Sequence, residues 1–171
     1  MKKVLFVIAP DDFRDEELFM PQEELTKCGY ETWIASHKTG TCTGVRGGVA
    51  QSDMVLEDVD TNDFEAVIFV GGKGSRVFFD DPHAFKIAQA MHGLSKTVAA
   101  ICIAPVILAN AGLLKKKNAT VFESEIKAIE DKGAHYTDEG VVVDGNIVTA
   151  DGPENAKKFG QTLCELLNKQ D

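Results

Sequence analysis

Cys102 sits where one kind of local structure gives way to another. It follows the apolar run Thr97–Ile101 and precedes the stretch Ile103–Leu114, whose apolar residues recur at helical spacing. A thiol that merely fills core volume could lie anywhere in such a run. At a strand-to-helix junction it occupies the position of an activated nucleophile, exposed at a sheet edge by a tight turn. Unpaired amides of a first helical turn and the positive helix end would favour thiolate over thiol there. A depressed thiol pKa and nucleophilic or redox chemistry at Cys102 are therefore expected.

Two further groups carry chemistry. Gly71-Gly72 closes the apolar run Glu65–Val70, and glycines allow close backbone approach. Their amides, with that of Ile103, are expected to line an oxyanion hole. The stretch PDDFRDEELFMP holds five carboxylates, most of them expected to be solvated. Glu17 differs because Pro21, four residues on, lacks the N–H that would bond its carbonyl, which predicts a kink or a helix restart. A carboxyl held beside a thiolate would be pushed toward its protonated form and could donate to sulfur. Histidine is the usual base for a cysteine nucleophile, and four occur: His37, His83, His92 and His135. His37 ends a strand and could face the site. None can be set beside Cys102 from sequence, so no complete triad is read.

The elements that would position these groups alternate. Residues 3–9, 31–36, 65–70 and 97–101 read as strands, the apolar runs among them suited to burial on both faces. Helices are expected over about 15–28, 83–94, 103–113, 124–132 and 154–168, with a looped β excursion over 38–54 and a short strand near 119–122. VVVDGNIVTA reads as a hairpin turning at Asp144-Gly145 or Gly145-Asn146. Strands alternating with helices imply a mostly parallel sheet covered on both faces, whose ligands bind beyond the carboxyl ends of the strands.

The composition narrows the function. The chain has 171 residues, enough for one domain with a sizeable core, and spans 1–171 as a single unit in this reading. A net charge of −9 and the absence of a basic stripe argue against a nucleic-acid partner. No apolar stretch reaches the roughly 20 residues of a membrane span. The opening MKKVLFVIAPDDF reads as a first strand rather than a signal peptide, so a cytoplasmic protein is expected. Cys28, Cys42, Cys102 and Cys164 are accordingly expected to be reduced thiols. No CxxC, HxxH or HExxH spacing occurs, so neither a metal nor another cofactor is expected.

Taken together, KVLFVIAPDDFRDEELFMP, TGVRGG, AVIFVGGKGS, VAAICIAPVILANAGLL and VVVDGNIVTADGP resemble the ThiJ/PfpI family, the superfamily of the Parkinsonism-associated protein deglycase, over nearly the whole chain. The resemblance implies a flavodoxin-like three-layer α/β/α sandwich related to class I glutamine amidotransferase domains. It also implies a homodimer or higher homo-oligomer. Cys102 matches the family's reactive cysteine, Glu17 the carboxyl that hydrogen-bonds it, and the Gly72 and Ile103 amides the groups that steady an oxyanion. The sequence departs from the family in two places. Peptidase-type members carry His where Ile103 stands, and deglycase-type members carry His in the segment matching TVFES, where Glu123 stands. The expected activity is cofactor-free chemistry of a cysteine nucleophile on small reactive carbonyls or glycated adducts. A redox sensor acting through Cys102 and an intracellular cysteine peptidase or amidase are the alternatives.

Overall fold

The computed structural model describes residues 1–170. Seven strands form the central sheet: β1 (Lys3–Val7), β2 (Glu31–Ser36), β3 (Met54–Val55), β4 (Ala66–Phe69), β5 (Thr97–Ile101), β6 (Val141–Asp144) and β7 (Ile147–Ala150). Their order is β6-β7-β5-β4-β1-β2-β3, and every pair is parallel except the β6–β7 hairpin. The five long parallel strands thus run 2-1-4-5-7, with the order reversing beside β1, as in doubly wound sheets.

Side chains alternate across each strand, so a strand buried on both faces feeds two cores. Leu5 and Val7 of β1, with Val67, Phe69, Val98 and Ala100, pack under α2 (Pro82–Gly93), α3 (Pro105–Asn110) and α4 (Ile126–Glu130). Val4 and Phe6, with Ile68, Ala99, Ile101 and Val148, pack under α1 (Asp15–Lys27) and α5 (Ala156–Lys169), where Leu18, Leu25, Phe159 and Leu163 complete the layer. This is the expected three-layer α/β/α sandwich.

Several boundaries and one bond differ from expectation. α1 runs unbroken through Pro21 instead of restarting there. α3 begins at Pro105, so a turn over residues 102–104 separates Cys102 from the helix. The hairpin turns at Gly145-Asn146, since Asp144 pairs with Ile147 and Gly145 takes φ +62°. The excursion forms an antiparallel pair, Gly40–Gly44 with Val49–Ser52, whose turn is gripped by Asp15: its two carboxylate oxygens accept from the amides of Arg46 and Gly48 at 2.8 and 2.7 Å.

The cysteine expectation is corrected. Cys28 and Cys164 form a disulfide, with Cα atoms 6.2 Å apart, while Cys42 and Cys102 are free. Cys28 caps the C-terminal end of α1 and Cys164 lies on α5. Residues 136 apart in sequence meet because these two helices cover the same sheet face, Gly160 lying so close that a Cβ there would come within 2.8 Å of the Pro21 Cα. Among the described residues no helix is long and apolar enough to cross a membrane.

Candidate active site

The chemistry gathers at the carboxyl ends of β1, β4 and β5, beside the reversal in strand order. Cys102 follows β5 with φ +65°, in the left-handed region that a residue with a Cβ rarely occupies. Neighbouring strands and turns impose this conformation. The Cys102 amide donates to the Ala150 carbonyl at 2.9 Å, and the Cys102 carbonyl accepts from Phe122 at 2.8 Å. The backbone is thereby pinned on both sides, and Cys102, packed against the core beneath, lines a cavity above. Strain of this kind costs about 1–3 kcal/mol and persists only where the surroundings enforce it.

Beneath the sulfur lies Glu17, in the first turn of α1 and fully buried. Neither carboxyl oxygen reaches a partner at full hydrogen-bond geometry. The Cys102 thiol, the Arg14 charge and the Gly71 amide favour the ionised carboxylate, and the Glu16 charge opposes it. Gly71 is the residue that lets the two side chains meet. A Cβ there would stand 2.5 Å from Glu17 Oε1 and 2.6 Å from Cys102 Cβ. Gly72 takes φ +96°, and a Cβ on it would collide with the Arg14 amide nitrogen and the Asp12 carbonyl. The Gly71 carbonyl in turn accepts from the Arg14 amide at 2.9 Å, fastening the loop after β4 to the N-terminus of α1.

Burial pushes the Glu17 carboxyl up to about 8, against the opposing pull of the Cys102 thiol and Arg14. Burial, then the negative charge of Glu17, raises the Cys102 thiol to about 12, while the amides of Gly72 and Ile103 pull it down. The expected depression of the thiol is therefore reversed. The helix that was to supply it begins three residues later, and an ionised carboxylate beside sulfur opposes a second negative charge. Ionisation of Glu17 therefore opposes ionisation of Cys102, the two groups lying in each other's field. Whenever Glu17 keeps the proton, the like-charge repulsion vanishes and an O–H faces the thiolate.

Cys102, Glu17, Gly71, Gly72 and Ile103 lie together in this cluster, with one change of role, and the candidate histidines do not join them. The Gly72 and Ile103 amides act on sulfur, whereas the Gly71 amide faces the Glu17 carboxyl. No histidine lines the cavity above Cys102. His37 is held elsewhere by Asp81 and stacks edge-on against Phe78 at 4.6 Å; His83 faces Glu57 at 3.4 Å. The cavity, about 380 Å³, is walled by Arg14, Lys73, Arg76, Ile103 and Phe122 among others. Sequence reasoning missed the three cations. Lys73 stands in the quoted AVIFVGGKGS, Arg76 directly follows it and Arg14 sits among the carboxylates of PDDFRDEELFMP, but only the fold turns them to one opening.

The model of the DJ-1/PfpI family matches residues 2–166. The chain belongs to this family. Other comparisons agree with that assignment. An uncharacterized protein of Methanocaldococcus jannaschii is 39% identical over 170 residues, 98% of this chain and 83% of that protein. A deglycase of Pyrococcus horikoshii is 33% identical, covering 96% of this chain and 99% of its own length. The crystal structure of a ThiJ/PfpI domain protein from Brachyspira murdochii superposes with TM-score 0.96 at 35% identity, covering 98% of this chain and 96% of that one. Position 103 is Ile, and Glu17 is the side chain whose charge and hydrogen bond act on the Cys102 thiol.

Proposed function

We propose that the chain is a cofactor-independent enzyme in which Cys102 attacks small reactive carbonyls, or the early adducts they form on amines. The observation that carries this reading is a partly exposed cysteine at φ +65° directly over a buried carboxyl, with two backbone amides on its sulfur. The deglycase name of the Pyrococcus relative supports the substrate class.

With methylglyoxal, the sulfur, its own proton lost to solvent, bonds to the aldehyde carbon, and the carbonyl oxygen becomes an oxyanion facing the Gly72 and Ile103 amides, which takes the proton held by Glu17 to give a hemithioacetal. Glu17, now ionised, takes the proton from that carbon and returns it to the neighbouring ketone carbon, while the hemithioacetal hydroxyl proton passes to the ketone oxygen, which becomes a hydroxyl. The electrons stay within the substrate, one carbon being oxidised and its neighbour reduced. The product on sulfur is a thioester, and water cleaves it to lactate and free thiol. One water is consumed and no external oxidant is required.

Incubating the purified protein with methylglyoxal and measuring lactate tests this. Turnover by wild type and its loss in Cys102→Ser, by at least about a hundredfold given what a nucleophile contributes, are expected. Wild type no faster than Cys102→Ser would end the proposal.

A further inference from the structure

The charge of the Cys102 cavity runs against that of the whole molecule. The chain carries 27 acidic and 18 basic side chains, yet Arg14, Lys73 and Arg76 line the opening over the sulfur and, among the described residues, no carboxylate does. The acids that hold these cations stand outside the cavity wall. Arg14 is gripped by Glu16 at 2.9 Å, Arg76 by Glu125 at 2.7 Å, and Lys73 faces Asp12 at 3.9 Å. Arg76 also lies over the Phe79 ring at 5.4 Å. Each cation is thus steadied from behind while lining the opening in front. The adjoining cavity, about 700 Å³, shares Phe122 and Pro153 with the first but has the opposite sign, with Glu123, Asp138, Asp151 and Glu154 in its wall.

Walls of one sign concentrate ligands of the other, and guanidinium groups match the planar geometry of a carboxylate. An anion entering this cleft is attracted on the Cys102 side and repelled on the Glu123 side. We infer that the electrophile Cys102 acts on carries its own negative charge, a carboxylate seated against Arg14, Lys73 and Arg76 while its carbonyl carbon meets the sulfur. This deepens the proposed carbonyl chemistry and rests on it. It assigns Arg14, Lys73 and Arg76 to substrate selection rather than to the proton transfers.

The test does not require turnover. Cys102 is alkylated with iodoacetate and, separately, with iodoacetamide, and the modified Cys102 peptide is quantified by mass spectrometry. Both reagents consume the same thiolate, so their rate ratio cancels any change in its population and reports the field at the mouth. The iodoacetate-to-iodoacetamide ratio at Cys102 is expected to exceed that of a neutral cysteine peptide by roughly tenfold at low salt. It should fall several-fold in about 0.5 M salt, where the screening length drops to a few ångströms. It should fall likewise in Lys73→Gln and in Arg76→Gln, two variants that guard against misfolding of either one. A ratio equal to that of the peptide, unmoved by salt and by both variants, would overturn the inference, as would a Cys102 that neither reagent reaches. Lactate formation from neutral methylglyoxal with no charge preference would sink this inference alone. A charge preference without turnover would sink only the enzymatic reading.

Discussion

Among the residues of the site, Glu17 is a carboxyl placed where it cannot be solvated. Glu17 is fully buried and its folded pKa stands at about 8, against 4.5 for an ordinary glutamate. Below pH 4.5 the carboxyl is protonated in both folded and unfolded chains and contributes no pH dependence. As pH rises from there to about 8, the unfolded chain has released the proton while the folded chain holds it, so stability falls across that window. Glu17→Gln removes this slope. Thermal unfolding of the variant and wild type should therefore diverge with pH, the variant gaining a few kcal/mol relative to wild type between pH 4.5 and 9. Parallel curves would mean that the carboxylate is stabilised in a way the present geometry does not provide. A glutamate retained at such a cost is consistent with selection for chemistry over stability.

At the scale of elements, most of the architecture was legible because the strands are nearly pure apolar runs. Thr97–Ile101 and Glu31–Ser36 match their expected ends residue for residue, and the other long elements shift by a few residues at most. Three features cannot be read locally. The start of α3 was placed too early because Ile103 and Ala104 share its apolar character. The pinned turn at Cys102 depends on hydrogen bonds to residues 122 and 150, far along the chain. The Cys28–Cys164 pairing likewise depends on α1 and α5 sharing a face, and the expectation of free thiols came from compartment rather than from geometry. A cross-link spanning 136 residues restricts the unfolded chain strongly. Reducing it, or replacing Cys164 with Ser, should cost about 2–4 kcal/mol. That corresponds to a fall of roughly 5–15 °C in Tm by calorimetry. A thiol titration under denaturing, non-reducing conditions should find two thiols, Cys42 and Cys102. Four thiols and a reductant-insensitive Tm would contradict the bond.

At the scale of the whole molecule, a doubly wound sheet brings the ends of three strands together and leaves the assignment of roles to loops. Cys102 and Gly72 stand out in the sequence because a thiol and paired glycines follow apolar strands, Glu17 because Pro21 lies four residues on, and Ile103 because it follows the cysteine. The cationic rim escaped notice because Arg14, Lys73 and Arg76 look like ordinary surface residues until the fold turns them to one mouth. A net charge of −9 says nothing of the sign of one opening, which Arg14, Lys73 and Arg76 line. What matters most is whether sulfur and carboxyl act as one unit. The direct measurement is the pH dependence of Cys102 alkylation by iodoacetamide in wild type and in Glu17→Gln. A coupled pair predicts two steps in wild type, the first near the Glu17 value of about 8 and the second toward about 12, merging into a single intermediate step in the variant. Identical one-step profiles in both proteins would show that Glu17 and Cys102 ionise independently.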